Sequence, residues 1–454
     1  MQPNVILFTI DALRADHVSH LGYHRKTTPF IDELSSQGVT FFNAFSNGPT
    51  TPTSFPSIFA SLYSFQLNDV GLPLRSVNTL PKVLKINGFE TAGISPNDFV
   101  SSVYNYHQGF DVFLDPENWA AARDKIKRNI LDLVKYLPGF HNLLREINKK
   151  FFAKSFVFTQ KNAADVLKKA ETWIKEVQNK DKPYFLWCHF NDVHHPWFPY
   201  KECLGQFRED EITIERSKAL VNKLLIDPDH VWSNISKSEM DDVIDLYDAS
   251  ILNTDQEIKD FIKKNVDLNE TTLVITSDHG EEFGDHGGFH RMKPYDEMLH
   301  VPLIFVGCNV PKEKKVHSDV SLINIPKTIL GILEYDDIWG FEGGNLINNV
   351  KEEEILVSYN RELVEGKNAP EGEVILLRKS GWKFIIRDDG DELYNLDSDP
   401  NERKNLININ QGVAAKLEKR LLEKVEQIGR HEIKTENVEI NKEVRKRLED
   451  LGYL

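Results

Sequence analysis

A short apolar segment that ends in acidic residues, histidines and glycines constrains the fold of this chain more than any other stretch. Residues 273–277 (LVITS) are apolar or small, partly β-branched and too few for a helix, so they predict a buried β-strand. The segment runs directly into Asp278 and His279, and His286 and His290 follow in a glycine-rich stretch. Because ligands in open α/β sheets bind at the carboxyl ends of strands, this stretch predicts a metal or catalytic site. The alternative interpretation is a hydrophilic turn without a ligand.

The composition is typical of a soluble globular protein and argues against nucleic acid as the main partner. The chain has 454 residues, of which 40% are hydrophobic, and 55 Lys and Arg against 70 Asp and Glu give a net charge of −15. A phosphate backbone requires a basic face, whereas a small anionic substrate requires only a local pocket that opposes the overall charge. The length predicts two to three domains, or one large α/β domain with an appendage.

Redox and targeting features predict a cytoplasmic protein. The three cysteines are too few for a disulfide framework. The N-terminal residues lack the basic region and the long apolar run of a signal peptide. No apolar run approaches the ~18 residues that a membrane span requires. The sequence does not determine the oligomeric state.

Two further predicted strands also end in residues that carry chemistry. Residues 5–10 are an apolar run that ends in Asp11, and residues 184–190 (YFLWCHF) end shortly before His194. Taken alone, Asp11 is more typical of a helix cap or turn, and His194 of a packing role. If the strands form one parallel sheet, however, their carboxyl ends lie on one edge and these side chains meet the cluster at residues 278–290.

A hydroxyl-rich segment supplies a candidate nucleophile. Residues 47–57 (NGPTTPTSFPS) read as a loop with three prolines that leads into a helix starting near Ile58. A hydroxyl such as that of Ser54 would then lie at the positive end of the helix dipole, where anions bind. The alternative role for Ser54 is a helix N-cap, and Thr53 is a less favoured candidate nucleophile.

These clusters together predict one metal-dependent site. The residues that would converge on it are Asp11, Asp278, His279, Ser54, His194 and His290. Mixed carboxylate and imidazole ligation suits several divalent cations, so Ca²⁺, Mn²⁺ and Zn²⁺ all remain candidates. The metal would lower the pKa of the Ser54 hydroxyl and neutralise an anionic substrate. His194 or His290 could protonate the leaving oxygen.

The predicted fold is α/β, with a large, mostly parallel central sheet flanked by helices and a smaller C-terminal α+β subdomain. Residues 1–345 form the predicted catalytic domain, and a segment at about 114–180 with helical spacing forms an insert in it. Strand-like runs follow residue 345, two of them joined by a hairpin at residues 379–381, and a helix is predicted over 414–426. The second predicted unit is therefore residues 346–454.

Ordered motifs over nearly the whole length resemble those of the sulfatase family in the alkaline phosphatase superfamily. The matching segments are residues 3–7 with 11–16, 28–32 with 38–41, 54–57, 109–111, 192–196, 277–281, 301–304, 393–396, 399–402 and 451–454. The resemblance implies an alkaline phosphatase-like fold. It also implies a metal-dependent hydrolase of sulfate esters, acting on a small anionic ester or on a sulfated or phosphorylated glycan.

The resemblance also implies roles for individual residues. The implied metal ligands are Asp11, Asp278, His279 and Ser54. Ser54 stands at the nucleophile position, and His194 and His290 match the histidines that contact the substrate and the leaving group. His286 is a rival to His290 for that role.

Several positions depart from the family pattern. Sulfatases have Cys, sometimes Ser, followed by x-Pro-x-Arg, and convert the first residue to formylglycine; here Ser54 has Ile58 at the arginine position. Ala12 replaces the second acid of the usual pair, and residues 93–97 lack the Lys-x-His pair. His279 replaces the usual Asn, as in phosphonate and phosphodiester hydrolases of the superfamily.

These departures define two alternative functions. The first is a phosphodiester or phosphonate monoester hydrolase, or a phosphoryl transferase, that uses an unmodified Ser54. A serine sulfate cannot collapse to an aldehyde, whereas a phosphoserine can be hydrolysed at phosphorus. The second alternative is a binding protein that has kept the fold and lost the chemistry, which Ala12 and Ile58 would explain.

Overall fold

In the part of the chain that the structure describes, two β-sheets organise the fold, a central sheet of eight strands and a smaller antiparallel sheet of four. The structure is a computed structural model. It describes residues 2–67, 72, 77–116, 162–178, 180–210, 212–226, 235–290, 292–335, 338–348, 352–360 and 372–429. The central sheet with helices on its faces confirms the predicted α/β class.

The central sheet is mostly parallel, as predicted. Its strands are β1 (Asn4–Ile10), β2 (Val39–Phe45), β3 (Glu90–Ile94), β4 (Val112–Leu114), β5 (Tyr184–Phe190), β6 (Thr271–Ser277), β7 (His300–Gly307) and β8 (Lys314–Ser321). Their spatial order is β4-β3-β5-β1-β6-β7-β2-β8. Of these, β7 runs antiparallel to both of its neighbours, β6 and β2. The other strands share one direction, so their carboxyl ends lie on one edge of the sheet.

The central strand β1 shows how the sheet is buried on both faces. Ile6, Phe8 and Ile10 point into one hydrophobic cluster, and Val5 and Leu7 point into the other. This alternation follows from the period of two in an extended chain. Strands covered on both faces are near-continuous apolar runs, which explains why β1 could be predicted from the sequence. Each fully buried side chain of this kind contributes about 1.5–3 kcal/mol of transfer free energy.

Helices cover both faces of the central sheet. One face packs against α1 (Pro29–Ser35), α4 (Ala163–Val177) and α7 (Lys237–Asn265), and the other against α2 (Thr51–Ala60), α3 (Leu80–Ile86) and α9 (Ile325–Ile332). The remaining helices of this region are α5 (Lys201–Leu204), α6 (Ile214–Ile226) and α8 (Asp296–Leu299). α4 confirms helical structure within the predicted insert, whose residues 117–161 lie outside the described residues. Among the described helices, none has the length and apolarity to cross a bilayer.

The helix predicted to start near Ile58 begins earlier, at Thr51, and this prediction was wrong. Thr50 is the extended N-cap residue, and it forms a reciprocal capping box with Thr53. Pro52 is tolerated because the first turn has unpaired backbone donors in any case. A segment rich in proline, threonine and serine is typical of a loop, but here these residues form the first turn of a helix. The correction places Thr51 at the first position of α2 and Ser54 further along the same helix.

The C-terminal region forms a separate antiparallel sheet. Its strands are β9 (Ile355–Asn360), β10 (Glu373–Lys379), β11 (Trp382–Ile386) and β12 (Glu392–Asn395), and α10 (Gln411–Ile428) covers one face. The predicted hairpin is confirmed, because β10 and β11 pair antiparallel with Ser380 and Gly381 at positive φ between them. The predicted terminal helix is confirmed by α10. The division of the chain at residue 345 stays a prediction.

Candidate active site

The ends of three adjacent strands bring the predicted site residues together. β1 lies between β5 and β6, and Ile10 pairs with Phe190 on one side and with Ser277 on the other. Asp11, His194 and Asp278 therefore leave the same edge of the sheet at neighbouring positions. All three side chains are buried.

Asp11, Asp278 and His279 form a compact cluster of possible metal ligands. One ligand atom from each lies within 4.8 Å of the others. His279 Nε2 is 3.3 Å from Asp11 Oδ1 and 3.7 Å from Asp278 Oδ2. These two carboxylate oxygens are buried and have no hydrogen-bond partner among the described residues. The three side chains thus point unpaired acceptor atoms at one small volume.

The tautomer of His279 supports a cation in that volume. Its Nδ1 lies 2.7 Å from the carbonyl oxygen of Gly280, which can only accept a hydrogen bond. Nδ1 therefore carries the proton in the neutral ring, and Nε2 turns its lone pair towards Asp11 and Asp278. Buried acceptors that face one another are costly without a compensating positive charge. Two carboxylates and one imidazole are a donor set that fits a divalent cation.

Two residues without a role in the sequence-based prediction orient Asp11. Asn97 Nδ2 donates to Asp11 Oδ2 at 3.0 Å, and His189 Nε2 lies 3.4 Å from the same oxygen. Burial raises the pKa of Asp11, but the imidazoles of His194, His189 and His279 outweigh it and hold that pKa below its usual range. Asn97 follows the carboxyl end of β3, and this position is the feature of the sequence that could have indicated a role in the site.

The pKa of Asp278 shifts in the opposite direction and lies above its usual value. Burial raises its pKa, and the charge of Asp11 raises it further. His279 and His189 lower it, as does a hydrogen bond with the Thr51 hydroxyl. The two carboxylates therefore repel each other across the volume that a cation would fill.

The turn after β1 is fixed by backbone contacts. Ala12, which stands where the family has a second acid, adopts φ of 59°, and its amide donates to Asp278 Oδ1 at 3.4 Å. The Tyr247 hydroxyl donates to the Ala12 carbonyl at 2.6 Å. Leu13 N donates to Ser277 Oγ at 3.0 Å, which links this turn to the end of β6. The departure at Ala12 thus leaves Asp278 supported by a main-chain donor.

Three histidines form a second cluster beside the carboxylates. The ring centroids of His194, His195 and His290 lie 4.3–4.6 Å from one another. His194 Nδ1 lies 2.7 Å from the His195 carbonyl oxygen, so that nitrogen is the protonated one in the neutral ring. Burial, together with the neighbouring His195, lowers the pKa of His194 to about 3. The structure therefore holds His194 as a neutral imidazole.

A buried glutamate supports this histidine cluster. Glu281 is fully buried, and its carboxylate oxygens lie 2.9 and 3.1 Å from His290 Nδ1 and 3.5 Å from His195 Nδ1. Burial alone would raise the pKa of Glu281, but His290 and His195 hold it well below its usual range. The sequence motifs contained Glu281 and His195. Their contacts join different strand ends, so no local sequence pattern indicated that these residues support the site.

The structure separates the two rival histidines. His290 lies beside His194, with ring centroids 4.6 Å apart. His286 instead stacks on Tyr295, and its Nδ1 is 2.6 Å from Glu297 Oε1. His286 is therefore engaged in packing and pairing at the edge of the loop, and His290 is the histidine placed beside the candidate site.

The hydroxyls at the start of α2 occupy different positions. Thr51 Oγ1 lies 3.4 Å from His279 Nε2. Ser54 Oγ lies 3.4 Å from the Thr51 carbonyl oxygen, and the Thr53 hydroxyl is engaged in the helix cap with Thr50. The role of Ser54 as nucleophile and metal ligand stays a prediction.

Replacing Glu281 with glutamine is expected to reduce turnover by about 10²- to 10⁴-fold, the range that a positioned acid–base group contributes. Glutamine keeps the size of the side chain, but its amide cannot accept hydrogen bonds from both His290 and His195 as the carboxylate does. The measurement is kcat together with its pH profile, because a purely structural role would leave the shape of that profile unchanged. Glu33→Gln, at an exposed position on α1, is the control. Wild-type kcat and pH profile in Glu281→Gln would contradict this role.

The fold and the site together define a class of protein, an α/β protein with a carboxylate–histidine site at the strand ends of its mostly parallel central sheet. The sequence profile of the Sulfatase family matches residues 3–335. Arylsulfatase K of Mus musculus is 24% identical over 445 residues, covering 89% of this chain and 76% of that protein.

Solved structures share the fold. A phosphonate monoester hydrolase of Agrobacterium radiobacter superposes with a TM-score of 0.67 at 17% identity, covering 94% of this chain and 96% of that one. A protein solved in complex with its substrate D-glucosamine-2-N,6-O-disulfate also superposes with a TM-score of 0.67 at 17% identity. The match covers 94% of this chain and 98% of that one. The chain belongs to the sulfatase family, and it is a sulfatase-family hydrolase of sulfate esters.

Proposed function

We propose that the protein releases sulfate from a small anionic ester, in particular a sulfated sugar, with a divalent cation held by Asp11, Asp278 and His279. The observation that carries the metal assignment is the pair of buried, unpartnered carboxylate oxygens that face His279 Nε2. Calcium, manganese and zinc all accept carboxylate oxygen and the latter two readily accept imidazole nitrogen, so the donor set leaves the cation open.

The start of α2 is the proposed source of the nucleophile. When bound, the cation would supply Lewis-acid chemistry, neutralising charge on the ester and favouring the deprotonated form of a nearby hydroxyl. The first turn of α2 adds the positive end of a helix dipole, which favours an anionic group at the same place. The hydroxyl thus acts from a buried, preorganised position rather than from a flexible loop.

His290 and His194 are proposed to act on the leaving group and the substrate. Glu281 accepts from His290 Nδ1, which directs the opposite ring nitrogen away from that carboxylate. His290 then donates a proton to the departing ester oxygen. The neutral His194, whose Nδ1 donates to the His195 carbonyl, presents the lone pair of its Nε2 and accepts a hydrogen bond from a hydroxyl group of the substrate.

The sulfated-sugar assignment rests on the relatives and on charge. The glucosamine disulfate complex comes from a protein with the same fold. The net charge of −15 disfavours nucleic acid as a partner but leaves room for a local anion site. The alternative of a phosphonate or phosphodiester hydrolase is favoured by His279 as a ligand and by the fold shared with the phosphonate monoester hydrolase.

A substrate panel tests the proposal. The wild-type protein, loaded with each cation in turn, is assayed on an aryl sulfate, an aryl phosphate diester and an aryl phosphonate, and then on sulfated glucosamine. We expect the highest kcat/KM on sulfate esters. Turnover of the phosphorus esters alone would support the alternative hydrolase instead. A metal-loaded protein that hydrolyses no ester would contradict both proposals and support a binding protein.

A further inference from the structure

We propose that Thr51, rather than Ser54, is the nucleophile that forms a covalent ester with the sulfur or phosphorus centre of the substrate. This assignment rests on the proposed function, because it requires an ester substrate at the same site. It concerns a residue that the sequence motifs did not single out. The shared chemistry of the two substrate classes is a tetrahedral centre that carries anionic oxygens.

The contacts of Thr51 carry the assignment. Its side chain is buried at 2% exposure, and its Oγ1 lies 3.4 Å from His279 Nε2. Thr51 therefore contacts one of the three candidate metal ligands directly, which is where a nucleophile activated by a cation has to lie.

The neighbouring hydroxyls have other contacts. Ser54 Oγ bonds back to the Thr51 carbonyl at 3.4 Å, one turn along the helix. Thr50 and Thr53 bond each other at 2.9 Å and close the helix cap. Of the hydroxyls at residues 50–54, Thr51 is thus the one for which the structure gives a side-chain contact with the carboxylate–imidazole cluster.

The start of α2 strengthens the case for Thr51. The helix has ten residues and begins at Thr51, so this side chain lies at the positive end of the helix dipole. Ser54 lies beyond the first three positions, where the dipole effect is already weaker.

A threonine nucleophile changes the chemistry. Oxidation of its secondary alcohol would give a ketone and not the aldehyde of formylglycine, so the reaction requires direct attack. Thr51 Oγ bonds to the central atom, and its proton is released to solvent water. The bond to the ester oxygen breaks, and that oxygen takes a proton from His290. The products of this first step are the free alcohol and a threonine ester.

Water completes the reaction. Its oxygen bonds to the central atom, and its proton restores His290. The bond from the central atom to Thr51 Oγ breaks, and that oxygen recovers a proton from solvent water. The sum of the two steps is ester plus water giving alcohol plus sulfate, or the corresponding phosphorus acid, with no oxidant or reductant required.

Trapping the covalent ester tests the assignment. Metal-loaded protein is stopped in acid during turnover of an aryl sulfate and, separately, of an aryl phosphonate. Peptide fragmentation by mass spectrometry then locates the added group. We expect it on Thr51 in the wild type and in Ser54→Ala, and on the new serine hydroxyl in Thr51→Ser. Thr51→Val, which keeps the shape, is expected to carry no adduct and to lose at least about 10³-fold in kcat.

The outcomes separate this inference from the proposed function. An adduct on Ser54 in a protein that turns over esters would overturn the inference and leave the function intact. A wild type that turns over no ester would contradict the function and the inference together. Where the adduct is too short-lived to trap, the kcat values decide: equal turnover in Thr51→Val and Thr51→Ser would overturn it. Thermal unfolding of each variant confirms that it is folded.

Discussion

Replacing Asp278 with alanine is expected to lower sulfate-ester turnover by at least about 10³-fold, because a metal ligand supplies several kcal/mol of transition-state stabilisation. Asp278 Oδ2 is one of the two unpartnered oxygens that face His279 Nε2, at 3.7 Å. The variant should also bind less divalent cation. The measurements are kcat/KM on an aryl sulfate and the bound metal by elemental analysis.

Asp267→Ala is the matched control, because this aspartate lies on the exposed turn before β6 and only caps Asn269. It should keep both the activity and the metal content of the wild type. An Asp278→Ala protein with wild-type metal content and turnover would show that the carboxylate–imidazole cluster is not the metal site.

Replacing Lys383 with methionine is expected to lower the free energy of unfolding by about 3–5 kcal/mol, since the buried Glu402 carboxylate loses its cation while Asp296 keeps Arg378 as a partner. Lys383 is 1% exposed, and its Nζ lies 2.8 Å from Asp296 Oδ1 and 2.6 Å from Glu402 Oε1. This pair joins β11 of the small sheet to α8, which precedes β7 of the central sheet. Urea unfolding followed by circular dichroism measures the change.

Lys419→Met serves as the control for this variant. Lys419 lies on the exposed side of α10, with its side chain 79% exposed and its Nζ 3.9 Å from Glu423. Exposed pairs of this kind contribute about 0–1 kcal/mol. If Lys383→Met unfolds at the same urea concentration as Lys419→Met, the buried ion network does not stabilise the junction between the sheets.

The strand ends were the predictable part of the site. Short, continuous apolar runs predicted β1, β5 and β6, and each run stopped at residues that carry chemistry. From this, the convergence of Asp11, Asp278 and His279 followed as a prediction, and the structure brings these three side chains together. Local patterning was sufficient because strands buried on both faces have an unambiguous composition.

The support around these residues was not predictable. Asn97, His189 and Glu281 act through contacts with residues far away in sequence, which only the order β3-β5-β1-β6 brings close. The start of α2 was misplaced because a capping box of threonines looks like a loop.

The most direct test of the account is the release of inorganic sulfate from an aryl sulfate by chelator-treated wild-type protein, before and after a divalent cation is added back. The account predicts that sulfate release stops when the metal is removed and returns with Ca²⁺, Mn²⁺ or Zn²⁺. Undiminished sulfate release by protein that elemental analysis shows to be free of metal would contradict it.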